Sequence, residues 1–174
     1  MNIRIIGYAG SGKTSLALAI QKKYRIQGIS LDDYLQIKNK SDRARQLEHD
    51  LYDLRDWTTE GVQLGQWCQE TLTRADLIIL LDYPLLLVQY RVVKRAFLQV
   101  FEKERDFSQK IKVIKRMFKL FKWNVRFKKR LPEIKKNLYL FPAELIILEH
   151  PEDEVRFHQF MKSNFKRKIK KRKR

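Results

Sequence analysis

Gly7-Tyr8-Ala9-Gly10-Ser11-Gly12-Lys13-Thr14 is the stretch on which the reading of this chain turns. It matches G-x-x-x-x-G-K-[ST], and its flanks are the ones the pattern requires. Before it runs the strand-like Asn2-Ile3-Arg4-Ile5-Ile6, and after it a helical stretch spans residues 13–24. Glycine lets a backbone open toward a ligand with no Cβ in the way. Successive amides then face inward as an anion nest at the start of a helix. Lys13 has the reach for β- and γ-phosphates, and the Thr14 hydroxyl is a ligand for Mg²⁺. Three of the chain's six glycines fall in these eight residues, so glycine is concentrated where a phosphate cradle needs it. The phosphates of a nucleoside triphosphate are the expected ligand, with Gly7, Tyr8, Ala9, Gly10, Ser11, Gly12, Lys13, Thr14 and the adjoining Ser15 around them.

Working outward, short apolar runs mark further strands at 29–31, 57–59, 77–81 and 145–148. The last two lack alternation, as strands covered on both faces do. Helical stretches lie between them at 41–54, 62–74, 84–104, 109–138 and 152–162. Alternation of strand and helix predicts an α/β fold: a three-layer P-loop NTPase with five parallel strands and helices on both faces. Residues 1–162 form one domain in this reading. Within it 89–136 is a basic helical lid region, and 163–174 is a disordered basic tail. The stretch 108–136 reads as one long helix or two, with Ile111, Ile114, Phe118, Phe121 and Val125 along one stripe and Pro132 as its single punctuation.

The 174 residues carry a formal charge of +18, unevenly placed. Residues 89–136 hold seventeen Lys or Arg against four acids, a net of +13, and residues 166–174 add +8. The rest is slightly acidic. Such a pattern favours polyanions: phosphates, nucleic acid or an anionic membrane. For 89–136 the readings are a lid closing over phosphates, or a surface for nucleic acid or membrane. Interleaved Phe118, Phe121, Trp123 and Phe127 fit base stacking on a nucleic acid. No apolar run approaches the ~18 residues of a membrane span. No secretory signal pattern opens the chain, and one cysteine, Cys68, leaves no disulfide framework, so a cytoplasmic location is expected. Cys68 itself reads as a small core residue. Asn39-Lys40-Ser41-Asp42 spells a guanine-recognition motif but falls one strand after the phosphate loop, where Ser41 or Asp42 capping a helix explains it better.

Sites in parallel sheets collect at the carboxyl ends of strands. Asp32, with Asp33, follows the second strand and is placed to orient or deprotonate an acceptor. Glu60 follows the third and is placed to hold a water on Mg²⁺, with Thr14. Asp82 ends the fourth strand, but Pro84 nearby suggests a turn or cap. Arg91 and Arg95 lie one helical turn apart and suit bidentate phosphate contact. Arg105, Arg116, Arg126 and Arg130 are further cations of less definite use. The loop at His150-Pro151 is a guess for the wall of the base site.

With these residues placed, the chain resembles the small P-loop proteins called DNA topology modulation proteins of the FlaR type, a group related to adenylate kinase. The resemblance rests on residues 7–15, Leu31-Asp32, Asp56-Trp57-Thr58-Thr59-Glu60-Gly61, residues 75–82, and Arg91-Val92-Val93-Lys94-Arg95. The aromatic and basic stretch near Trp123 and Lys128-Lys129-Arg130 continues it. It implies a kinase-like fold that binds ATP with Mg²⁺ and phosphorylates a nucleoside or nucleoside monophosphate. Lys13, Asp32, Arg91 and Arg95 would be catalytic, and Thr14 and Glu60 would serve the metal. Val62-Gln63 stands where relatives have Asn-Tyr, and Leu85 where they often have Arg. The alternative is an ATP-binding regulatory protein associated with nucleic acid.

Overall fold

A computed structural model describes residues 1–102 and 106–172, with side chains as far as Ser163. Five strands form one parallel sheet: β1 (Ile3–Gly7), β2 (Gln27–Ser30), β3 (Trp57–Glu60), β4 (Leu77–Leu81) and β5 (Glu144–Leu148), in the spatial order β2-β3-β1-β4-β5. The helices are α1 (Lys13–Tyr24), α2 (Lys40–Tyr52), α3 (Glu70–Thr73), α4 (Leu85–Val100), α5 (Phe107–Leu138) and α6 (Asp153–Arg172). All five strands and the first helix stand where the sequence places them, within two residues at each end.

Every residue of β1 and β4 is buried. Their side chains make the main core with Leu16 and Ile20 of α1 and Phe127, Leu131 and Ile134 of α5. A smaller core gathers Leu31, Leu47, Leu51, Trp57 and Cys68. Cys68 is buried there as expected, its thiol donating to the Gly65 carbonyl. From β1 the chain leaves for one edge of the sheet, and from β3 for the other. Right-handed crossovers then place α1 and the helices that connect β2 to β5 on opposite faces, while α6 returns beside α1, where the Tyr24 hydroxyl donates to the His158 carbonyl at 3.4 Å. The crossovers also open a crevice between the carboxyl ends of β1 and β3, where ligands of such sheets sit.

Several expectations need correction. The helix predicted over 62–74 is a one-turn 3-10 helix at Gln66–Cys68 followed by α3. The segment before it is kept out of a helix because the Arg4 guanidinium donates to the carbonyls of Gly61 and Gln63, at 3.2 and 2.7 Å. Residues 108–136 lie in one helix, and Pro132 sits inside α5 without ending it. Proline removes one backbone bond, while buried Leu131, Ile134 and Leu138 keep that part of the helix on the core. The backbone of the final helix, α6, runs from Asp153 through Arg172. Arg105 and the last two residues lie outside the described residues. Helix α2 is capped by Asn39, whose side chain accepts from the Ser41 amide at 2.8 Å, and not by Ser41 or Asp42. No described helix is long and apolar enough to cross a membrane.

Candidate functional site

The loop between β1 and α1 turns on Gly10 and Gly12, with φ of 84° and 96°, in the left-handed region that favours glycine. At Gly10 a Cβ would stand 2.9 Å from the Val88 carbonyl oxygen and from Val92, so α4 packs directly on the loop. Helix α1 has no side-chain cap, and its first backbone bond runs from the Leu16 amide to the Gly12 carbonyl. The amides at its start therefore have no helical partner. Lys13 is 8% exposed, and its Nζ donates to the Tyr8 carbonyl at 3.1 Å. Burial pulls its pKa below the usual 10.5, against the opposing fields of Glu60 and Asp32. The Tyr8 side chain does not face the loop's concavity. It is buried in the core, edge-on to Phe127 at 5.5 Å, with its hydroxyl donating to the Tyr83 carbonyl. Its contribution to the loop is backbone.

Glu60 ends β3 and is buried. It accepts from the hydroxyls of Thr14 and Ser30, each at 3.0 Å. The register that pairs Ser30 with Glu60, and Ile5 with Glu60, brings these groups together. Asp32 is exposed and accepts from the Gln63 amide at 2.5 Å. Gln63 thus holds the carboxylate expected to face an acceptor. Arg91 donates to the Ser11 carbonyl at 3.3 Å and lies over the Tyr83 ring, 5.4 Å from its centroid.

These groups surround two adjoining cavities. One, of about 540 Å³, has Gly12, Lys13, Glu60, Arg91, Arg95 and Arg116 in its wall. The other, of about 630 Å³, has Val62, Gln63, Lys115, Lys119 and Trp123. Both share Ala9, Lys13, Asp32, Arg116 and Leu120. Thr14 and Ser15 line the first. His150 and Pro151 line neither, because the turn they occupy is tied to α6: the amides of Glu149 and His150 both donate to Asp153, at 2.9 Å.

Asp82 is neither a turn residue nor a cap. Its buried carboxylate accepts from Lys128 at 2.5 Å and Lys135 at 2.7 Å, which fastens α5 to the end of β4. A second fastening was not foreseen. Asn124 of α5 is completely buried and brackets Ala9, its Oδ1 accepting from the Ala9 amide at 3.1 Å and its Nδ2 donating to the Ala9 carbonyl at 3.0 Å. Its signal was a lone amide on the stripe Val113, Leu120, Phe127 and Leu131, where every other large residue is apolar. Arg4 was missed as well. It is fully buried beneath the loop, where desolvation lowers its pKa to about 10. Nor do the aromatics form a stacking row: Phe127 is buried, and Trp123 leans on it at 5.3 Å.

A parallel sheet in this order, with a glycine loop wrapped on the first helix, matches 141 chains among solved structures. One is a shikimate kinase from Bacteroides thetaiotaomicron, with a TM-score of 0.52 and 18% identity over 84% of this chain and 85% of that one. The chain shares the fold of that structure. At that identity the likeness is one of fold and does not extend to the FlaR-type grouping. No protein-family model and no curated protein sequence matches the chain.

Proposed function

We propose that the chain transfers the γ-phosphoryl group of Mg·ATP to a small acceptor, a nucleoside or nucleoside monophosphate. The observation that carries this reading is the meeting of two cavities at Lys13, Asp32 and Arg116. A phosphotransferase needs a donor compartment and an acceptor compartment that touch where the group passes.

The residues fit a triphosphate with a metal. Uncapped amides at the start of α1 and four cations, Lys13, Arg91, Arg95 and Arg116, face the first cavity. Thr14 and Glu60 offer the hydroxyl and carboxylate that Mg²⁺ takes alongside water and phosphate oxygens. When bound, the metal supplies charge neutralisation at the β- and γ-phosphates. Lys13, Arg91 and Arg95 stabilise negative charge on the group in transit. Asp32, steadied by Gln63, accepts a hydrogen bond from the acceptor hydroxyl and takes its proton. Leu35, Val62 and Trp123 form the apolar wall of the second cavity, which orients the acceptor and keeps water from the transfer.

The test is ATP consumption against a panel of nucleosides and nucleoside monophosphates, with product identified by mass. At least one acceptor should be phosphorylated, and Lys13→Ala should reduce the rate roughly a hundredfold or more, as loss of a transition-state donor does. A chain that binds Mg·ATP and turns over no acceptor would overturn the reading.

A further inference from the structure

The cations around the site are divided between its two cavities. Arg91 and Arg95 line only the one that holds the phosphate loop, Lys115 and Lys119 line only the other, and Lys13 and Arg116 stand in both walls. The carboxylates are divided unequally. Glu60 and Glu154 face the loop's cavity, whereas among the described residues the shared Asp32 is the only carboxylate in the second wall. Among the described residues, too, no carboxylate forms an ion pair with Lys115, Arg116 or Lys119. A triphosphate on the loop would engage the cations of the first cavity. It would leave Lys115 and Lys119 without an anion, in a wall made largely apolar by Leu35, Val62, Leu120 and Trp123. Like charges set in such walls concentrate anions.

Lys115, Lys119 and Trp123 follow one another at steps of four residues along α5. At about 100° per residue each step advances only about 40° around the axis, so the three share one flank. That flank lines the second cavity. Trp123 is half-buried, and its indole leans on Phe127 at 5.3 Å with a tilt of 31°. Phe127 in turn packs edge-on against Tyr8 of the phosphate loop. The indole is therefore held in a set orientation with its remaining surface in the cavity wall, a platform for a flat ring. Neither other tryptophan is so placed: Trp57 is fully buried, and Trp67 lies under the Arg43 guanidinium, outside both walls. A cavity of about 630 Å³ falls within the range of sites for one small molecule. We infer that Lys115, Lys119 and Trp123 form an acceptor-recognition stripe: Trp123 stacks the acceptor's ring, and the two lysines take an anionic group on the same molecule. The inference rests on the phosphotransfer reading and narrows it, since a nucleoside offers the ring without the anion and a nucleoside monophosphate offers both.

The test is binding, read by tryptophan fluorescence and by calorimetry, with the loop's cavity filled by a non-hydrolysable Mg·ATP analogue. The probes are the common nucleosides and their 5′-monophosphates, compared base by base. At least one monophosphate should quench the fluorescence and bind roughly tenfold or more tighter than its nucleoside, as charge-assisted phosphate contacts do. In Lys115→Gln/Lys119→Gln that monophosphate should fall to the affinity of its nucleoside, which should itself be unchanged. The same variant should keep its thermal midpoint and its affinity for the Mg·ATP analogue, which establishes that it is folded. Trp123→Leu should weaken both probes and remove the quenching, and Trp123→Phe, which keeps a ring, should restore most of the affinity. Equal binding of nucleosides and monophosphates, a preference that survives the lysine double variant, or no binding of any probe would each overturn the inference. The expected binding without phosphotransfer would support the stripe and overturn only the proposed reaction. Phosphorylation of a neutral acceptor that all three variants leave unchanged would overturn only the stripe.

Discussion

Leu80 and Phe97 are both large apolar side chains in regular structure, yet β4 hides the first completely while α4 leaves 60% of the second exposed. Around Leu80 even the charged groups have close partners: Glu60 holds two hydroxyls, and Asp82 holds two lysines. Around Phe97 the neighbours are another exposed ring, Phe101, at 4.4 Å, and a field of cations. The sheet and its loop are thus finished by internal contacts, whereas the outer flank of α4 is left open to solvent. Helix α5 shows both conditions. From Asn124 onward it is bolted to the loop and to β4, and its first turns carry the exposed stripe.

Matched truncations would test that contrast most severely. Leu80→Ala should cost about 2–5 kcal/mol in urea unfolding, the range for a fully packed core site. Phe97→Ala should change stability by no more than about 0.5 kcal/mol, as exposed positions do. Equal costs would mean that the outer flank of α4 is part of the folding core after all.

A smaller effect should sharpen the boundary within α5. Asn124→Ala strips the Ala9 amide and carbonyl of their side-chain partner, which should cost about 1–3 kcal/mol. The same change should weaken Mg·ATP binding and speed hydrogen exchange at the Ala9 amide. A stability loss with unchanged nucleotide affinity would show that α5 only packs against the loop and does not shape it.

The smallest effect is in pH. Burial lowers the Lys13 pKa in the folded chain below its usual 10.5. Between the two values the unfolded chain holds more protons, so this group makes stability rise with pH. Phosphate binding needs the ammonium and should move the opposite way. Mg·ATP affinity measured by calorimetry should therefore begin to fall on the alkaline side below the ordinary lysine range, while unfolding shows no loss from this group. Lys13→Arg should move the fall to higher pH, because a guanidinium stays charged.

Much of this was legible in residue order. The phosphate loop needed only local glycine placement and its flanks, and β4 only an apolar run of the right length. Glu60 and Asp32 were singled out by standing at strand ends, and both lie in the wall of one cavity. Asp82 was misjudged from the same position, because what distinguishes it is two lysines on a distant helix. The helix predicted over 62–74 failed for a similar reason: Arg4 holds the carbonyls of Gly61 and Gln63, and no periodicity reports a buried guanidinium.

By itself the sequence determined the strands, the glycine turn and the concentration of charge in 89–136, since each depends on neighbours a few residues away. Only tertiary structure decided that Asn124 would bracket Ala9, 115 residues distant, and that two cavities would meet at Lys13. Those outcomes depend on where α5 comes to lie across the loop. That position follows from side-chain packing of the whole core, which no local pattern encodes.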